Sequence, residues 1–455
     1  QAVQGIAAGL RSRGLAPGER VLMRLGNEVE FPLCYLGAIW AGLVPVPASA
    51  ALTVPEITRL AEEVRPALIV AAPEVSRPEA PACPVLPALA LREMESTPPL
   101  APVLGPPDRP AYIVYTSGTS GSPRGVVHAH RAVWARRMMW ADWYGMGAAD
   151  RLLHAGAFNW TYTLGTGLLD PWTLGATALI PGEGVAPAQL PLLMKRFDAT
   201  IFAAAPAVYR QILKHHAKID APKLRHGLSA GEKLAPAIRA GWEAATGTAV
   251  HEALGMSECS TFVSGSPARP APPGATGYPQ TGRRLAVLGP GGTPVPRGTP
   301  GTLAVHRADP GLMLGYLDAP EETAARLSGD WFLTGDTALM AEDGALTYLG
   351  RDDDMMNAGG VRVSPLEVEA ALAEHPGIEE VACAEITVKA DTTIIAAFYT
   401  GPAPLPEADL AAFAAARLAR YKQPRLYAHC ASLPRAGNGK IDRTALRRRP
   451  APSLG

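Results

Sequence analysis

Apolar and polar positions change period repeatedly along the first seventy residues. Gln1 to Arg13 carries apolar side chains at helical spacing and stops at Gly14, which predicts an amphipathic helix; "GERVLMRL" after it predicts a strand. Residues 31 to 47 predict a buried helix leading into a buried strand. A further helix is expected near 55–64 and a strand at "PALIV". Helices and short apolar strands taken in turn predict α/β layers with largely parallel strands. Residues 71–110 hold eleven prolines and read as an irregular surface crossing. "AYIVYT" (111–116) then predicts a strand that runs into a loop rich in small and hydroxyl-bearing residues, with a helix expected beyond it. The alternation resumes after residue 150 with "RLLHAG", a helical segment around 163–174, "ATALI", a helix near 186–197 and "ATIFAAAP". A loop-rich zone over 264–302 precedes the shorter strands "TLAVH" and "ALTYLG". Past "GRDDDMMNAGG" the order becomes helix, strand, strand, helix, enough for a small α+β domain of about a hundred residues. The expected division is a large N-terminal domain over 1–352 and a small C-terminal domain over 353–455, hinged at Asp352 and Asp353. No internal repeat interrupts this order.

Length and charge narrow the picture. At 455 residues the chain exceeds one ordinary core. Hydrophobic residues at 47% against 18% charged ones describe a globular protein rather than a disordered one. Lys+Arg and Asp+Glu both total 42, so no net field points to nucleic acid or to an anionic membrane. The stretch from Phe31 to Pro55 carries no charge, but Gly37, Gly42, Pro45 and Pro47 favour a buried helix and strand over a membrane span. Cys34, Cys83, Cys259, Cys383 and Cys430 form no CxxC pair, which argues against a zinc site or disulfide framework and for a reducing, cytoplasmic setting. No signal-peptide pattern opens the chain, and whether residues precede Gln1 is left open.

The loop "YTSGTSGSPRGVVHAH" (115–130) is the first candidate site. A Walker-type loop needs GxxxxGK(S/T), and here no glycine–lysine pair lies between Gly118 and Gly125; the basic residue is Arg124. The chemistry still suits an anion. Glycines admit close backbone N–H groups, Thr116, Ser117, Thr119 and Ser120 offer hydroxyls, and Arg124 offers charge. By itself this loop reads equally as a phosphate cradle or a surface turn.

Further blocks follow in order: "SAGEKL" (229–234), "LGMSE" (254–258), "FLTGD" (332–336), "GRDDDMMNAGGVRVSPLEVEAAL" (350–372), "YKQPR" (421–425) and "PRAGNGKIDR" (434–443). Together with the loop they resemble the adenylate-forming, AMP-binding superfamily over essentially the whole chain. The pattern is most similar to acetyl- and medium-chain acyl-CoA ligases and to benzoate-CoA ligases. The resemblance implies ATP-dependent conversion of a carboxylic acid to acyl-AMP, followed by transfer to coenzyme A. It assigns the β- and γ-phosphates to Thr116, Ser117, Gly118, Thr119, Ser120, Gly121, Arg124 and Gly125. The adenine side falls to Gly231, Glu232 and Lys233, and the wall around adenine and α-phosphate to Glu252, Ala253, Leu254, Gly255, Met256 and Ser257. Glu258 would hold Mg²⁺ together with Thr116, Asp336 would accept the ribose hydroxyls, and Arg351 would add a donor. Lys440 would carry its ammonium to the charge developing between carboxylate and α-phosphate. Asp353, Gly359, Gly360 and Arg362 would form the hinge and coenzyme A elements, with the C-terminal domain rotating between the two steps.

Four positions depart from the superfamily pattern. Arg124 replaces the usual loop lysine, Leu254 an aromatic and Ser257 a threonine, while Asn357 stands where many relatives carry lysine. That asparagine is shared with the acetyl- and medium-chain ligases. For the acid, "HAGAFNWTYTLGTGLLDPWTLGA" (154–176) is the expected pocket segment, with Phe158, Trp160 and Gly255 as lining candidates. Five of the eight tryptophans, Trp134, Trp140, Trp143, Trp160 and Trp172, fall here or just before, and core packing is the expectation for most of them. Tryptophan in this place favours a small, medium-chain or aromatic acid over a long fatty chain, and no basic residue awaits a second carboxylate. Two other classes share these blocks: an enzyme that loads a carrier-protein thiol, and an inactive ligand-binding relative. A monomer or homodimer is expected.

Overall fold

A computed structural model describes residues 1–116, 124–358, 361–389, 392–436 and 439–448. The chain forms two compact units. The first comprises Gln1–Ala271, Gly277–Arg284 and Arg307–Asp330, and the second Pro272–Thr276, Leu285–His306 and Trp331–Gly455.

Three sheets build the first unit among the described residues. One has the order Val44–Pro47, Arg20–Arg24, Leu68–Ala71, Val85–Pro87, all parallel. The helices Ala2–Arg11, Glu30–Trp40 and Val54–Val64 stand where the hydrophobic periods predict them. A capping box starts the last of these, with Thr53 and Glu56 satisfying each other's backbone N–H groups. The uncharged 31–55 stretch is thus a helix and a strand, and no helix among the described residues is long and apolar enough to cross a membrane. The proline-rich crossing is more ordered than expected. Val85–Pro87 adds an edge strand and Ala90–Met94 a short helix that buries Leu91 and Met94. Prolines are tolerated there because an edge strand leaves some of its N–H positions unpaired.

The largest sheet runs Tyr278–Pro279, Ser260–Ser264, Val250–Met256, His226–Ala230, Ile201–Ala204, Arg151–Ala155, Thr177–Leu179. Its central strands are parallel and its first two pair antiparallel. Phe202, Tyr209 and Trp242 pack in one cluster against this sheet, and Trp143, Tyr144 and Leu228 in another. Burying such a sheet on both sides explains why its strands read as short continuous apolar runs rather than alternating ones. The helical segment expected near 163–174 is a π-helix, Thr163–Leu169, running into the α-helix Asp170–Leu174.

In the second unit, Leu285–Leu288, Gly301–His306, Trp331–Met340 and Leu346–Arg351 pair antiparallel in that order. Beyond them Glu380–Lys389, Thr392–Thr400 and Leu426–His429 form a sheet accompanied by the helices Pro365–Leu372 and Glu407–Ala415. This is the helix, strand, strand, helix order read from the sequence, with one further parallel strand.

Candidate nucleotide and acid site

The phosphate-loop candidate springs from a hairpin. Pro110–Thr116 and Arg124–Ala129 pair antiparallel, with Thr116 opposite Arg124. The helix expected beyond the 115–130 stretch is present as His130–Ala135, and the strand Arg124–Ala129 carries the chain from the loop to it. The run Val126–Val127 is β-branched, which favours an extended backbone over a helix. Among the described residues it is a strand and not a helix N-terminus that follows the loop directly, with Arg124 as the charge at its exit. Its Nε lies 2.5 Å from Glu322 Oε2. Gly125 lets a third strand approach: Leu317 N–H donates to Gly125 O at 2.7 Å, and a Cβ on Gly125 would come within 3.1 Å of Leu317 Cβ. Ser117, Gly118, Thr119, Ser120 and Gly121 lie outside the described residues.

In the large sheet, His226–Ala230 ends at Gly231, whose φ of +97° favours glycine, and Glu232 and Lys233 follow. Val250–Met256 carries the next block. Glu252 is buried, and its carboxylate accepts Leu234 N–H at 3.0 Å and Arg239 Nη2–H at 3.0 Å. Burial pushes the Glu252 carboxyl up, and these donors oppose that shift. Its side chain is thus spent within the protein. Ala253 lies in the core, whereas Leu254, Met256 and Ser257 are half-buried. Gly255 sits at a bulge, where a Cβ would meet Ser260 O at 2.4 Å. The neighbouring strand, rather than an open pocket, demands glycine there.

Ser257 O faces His128 Nε2 at 2.7 Å, and the His128 ring stacks on Tyr112 at 4.8 Å. Burial pushes His128 down to about 4, so the neutral ring serves as donor at neutral pH. Glu258 is also buried. Its Oε1 accepts the Tyr316 hydroxyl at 2.7 Å, and its backbone oxygen accepts Met313 N–H at 2.7 Å. Burial and the Glu258 charge push Tyr316 up to about 12, so the phenol keeps its proton. Among the described residues no group of three or more His, Cys, Asp or Glu is arranged to hold a metal ion. A single buried carboxylate suits Mg²⁺ delivered with ATP, because that cation takes most of its ligands from phosphate and water.

The second unit holds the remaining motif residues. Asp336 is buried in Trp331–Met340 and lies opposite Arg351 in the adjoining strand, with Arg351 Nη1 3.3 Å from Asp336 Oδ1 and 3.1 Å from Thr334 O. Burial raises the Asp336 carboxyl pKa, while the charges of Arg351 and Lys440 lower it. Lys440 is exposed and follows Gly439, whose φ is +85°; its carbonyl accepts Ala436 N–H at 2.8 Å. Asp353 falls in the 3-10 turn Asp352–Asp354, and Arg362 in the strand Val361–Val363. Gly359 and Gly360 lie outside the described residues.

The acid-pocket candidates separate. Phe158 is buried, stacks on Phe31 at 4.7 Å and donates its N–H to Asn27 Oδ1 at 3.1 Å. Trp160 is 40% exposed. A cavity of about 270 Å³ opens nearby among Asn27, Gly156, Pro181, Gly182, Leu190 and Val208, and neither candidate lines it. Core packing does not account for most of the tryptophans: Trp143 is fully buried, but Trp134, Trp160 and Trp172 are exposed. Trp134 and Trp172 lie on short helices and Trp160 in a bend, and local sequence does not reveal which faces of these point outward. Sequence reading missed Tyr316, Glu322 and His128. The partners of the first two lie 58 and 198 residues away, and no local pattern announces contacts of that range.

The description "AMP-binding enzyme" matches residues 1–317, and "AMP-binding enzyme C-terminal domain" matches residues 367–440. Benzoate–CoA ligase from Thauera aromatica is 30% identical over 95% of this chain and 86% of its own. The mitochondrial acyl-coenzyme A synthetase ACSM2B of Homo sapiens is 29% identical over 95% of this chain and 80% of its own. The crystal structure of ATP-bound MatB from Rhodopseudomonas palustris superposes with a TM-score of 0.89 at 26% identity, covering 98% of this chain and 91% of that one. With its N-terminal match spanning more than half of its length, and the same blocks in the same order, the chain belongs to the AMP-binding enzyme family.

Proposed function

We propose that this ATP-dependent acid–thiol ligase activates a small, medium-chain or aromatic monocarboxylic acid and delivers it to coenzyme A. In the first half-reaction a carboxylate oxygen attacks the α-phosphorus of ATP, the bond to the bridging oxygen breaks, and pyrophosphate leaves. In the second the coenzyme A thiol attacks the acyl carbon, loses its proton and expels AMP. Adenylation is needed because a carboxylate oxygen is itself a poor leaving group.

The observation that carries this reading is the pairing of Glu258 with Tyr316 beside the hairpin that bears Thr116 and Arg124. Thr116, Arg124 and Gly125 take the outer phosphates; Gly231, Glu232 and Lys233 take the adenine side; Glu258, with Thr116, takes Mg²⁺. Bound there, Mg²⁺ supplies neutralisation of phosphate charge. Asp336 accepts the ribose hydroxyls, since an ionised carboxylate is an acceptor at both oxygens. Its raised pKa remains opposed by Arg351 and Lys440, which favours that ionised form. Lys440 stabilises the charge that grows as pyrophosphate leaves. Residues 353–455 act as the domain that changes orientation between the half-reactions. The benzoate and mitochondrial acyl relatives support the choice of acid, as does the bulky Phe158–Trp160 segment. Five free cysteines fit a reducing cytoplasm, and the enzyme is taken to be a monomer or homodimer.

The test is a panel of acetate, butyrate, hexanoate, octanoate, benzoate, hydroxybenzoates, malonate and palmitate. AMP release is measured with ATP and Mg²⁺, with and without coenzyme A. Turnover should peak on a medium-chain or aromatic monocarboxylate and require coenzyme A. A best substrate among malonate or palmitate would overturn the acid assignment. Pyrophosphate exchange without discharge by free coenzyme A would favour a carrier-protein acceptor.

A further inference from the structure

We propose that Tyr316 is a positioning residue for the metal site, holding Glu258 Oε1 so that Oε2 is presented to the Mg²⁺ of Mg·ATP. The proposal rests on the reading of Glu258 as the magnesium carboxylate. Tyr316 Oη donates to Glu258 Oε1 at 2.7 Å, as a phenol hydroxyl does toward a carboxylate oxygen. A carboxylate on a single-bond stem can rotate; one oxygen fixed by a neutral donor leaves the other pointing in one direction.

Tyr316 is itself held on several sides. Its strand, Gly315–Tyr316, pairs with Arg124–Ala129, placing Tyr316 opposite Val126. Its N–H donates to Thr323 Oγ1 at 2.9 Å, and that hydroxyl donates in turn to Ala319 O at 2.9 Å. On the other side, Met313 N–H caps the Glu258 carbonyl. The same short segment supplies Glu322, which pairs with Arg124. One stretch of chain, residues 313–323, therefore braces the metal carboxylate and the phosphate arginine together. Orientation matters here because, among the described residues, no ring of acidic ligands surrounds Glu258. A site built from one carboxylate plus phosphates depends on that carboxylate's aim.

The test needs no turnover. Mn²⁺ replaces Mg²⁺, and its binding to the enzyme·ATP complex is titrated by electron paramagnetic resonance without acid or coenzyme A. Wild type, Tyr316→Phe and Glu258→Gln are compared, with ATP binding in EDTA as the metal-free control. Tyr316→Phe should weaken Mn²⁺ binding by about 10- to 100-fold, as loss of a partner to a metal ligand does. Metal-free ATP binding and the unfolding midpoint should stay near wild type. If Glu258→Gln loses Mn²⁺ but Tyr316→Phe binds it like wild type, Tyr316 only packs and the proposal falls. If Glu258→Gln also binds Mn²⁺ normally, the magnesium assignment falls and takes the proposal with it.

Discussion

Lys440 shows how far a single residue can be read from a motif. Its place in "GNGK" is legible because glycine, charge and a following "IDR" are contiguous. In the structure an antiparallel bridge joins Arg435 to Ile441, and Lys440 stands exposed in a bend between them. Replacing Lys440 by alanine is expected to lower acyl-AMP formation by at least about 10²–10³-fold, the scale of losing one donor aimed at transition-state charge. Thioester formation from supplied acyl-AMP should be largely spared, because the proposed role puts the charge where pyrophosphate leaves. Measuring the two half-reactions separately checks this, and equal losses in both would remove Lys440 from that role. Glu252 and Phe158 are less legible. Both stand in motif segments, yet the carboxylate is taken up by Leu234 and Arg239 and the ring by Phe31. Which side of a strand or loop a residue occupies follows from packing that its neighbours in sequence do not encode.

Elements were legible wherever the hydrophobic period was long or the strand fully buried. The strand Arg124–Ala129 after the loop was not, because a short apolar run carries too few positions to separate strand from helix. Strands also carry buried histidines that no period announces. His154, in Arg151–Ala155, is buried with neither ring nitrogen hydrogen-bonded, and burial pushes it down to about 3. His128 and His251 are pushed down to about 4, chiefly by burial. The unfolded chain takes up protons at these rings near 6.5, whereas the folded chain resists until about 4 or below. Stability is therefore complete above about pH 6.5 and falls as pH drops toward 4, with a limiting slope of about 1.4 kcal/mol per pH unit for each ring. Denaturant midpoints followed by tryptophan fluorescence should fall between pH 7 and 5, and His154→Leu should flatten that fall. Parallel pH profiles for wild type and variant would show that His154 does not contribute.

For the whole molecule, the texture change at residue 351 marks a candidate pivot, while compactness divides the chain into units with segments 272–276 and 285–306 joining 331–455. A functional pivot and a packing boundary need not coincide, since a pivot requires only a few residues that absorb backbone rotation. Asp352–Asp354 forms a 3-10 turn in which Met355 N–H donates to Arg351 O at 3.1 Å. Proline at 353 fixes φ near about −65° and removes a donor. Asp353→Pro is expected to depress one half-reaction at least about tenfold more than the other, because a locked pivot holds the protein in one of its two working states. Pyrophosphate exchange and thioester formation from acyl-AMP measure the two sides; equal, mild losses would make the turn a plain linker.

The sequence by itself determined the family, the order of the nucleotide blocks and the helix–strand alternation of both ends. Each of these is written in contiguous residues whose spacing the covalent chain enforces. The tertiary structure alone decided that Arg124 leaves the loop in a strand, that Glu252 turns its carboxylate inward, and that Tyr316 meets Glu258 across 58 residues. Those outcomes depend on which strands become neighbours and in what register. Register is settled by burial across the whole sheet and not by any one segment of it.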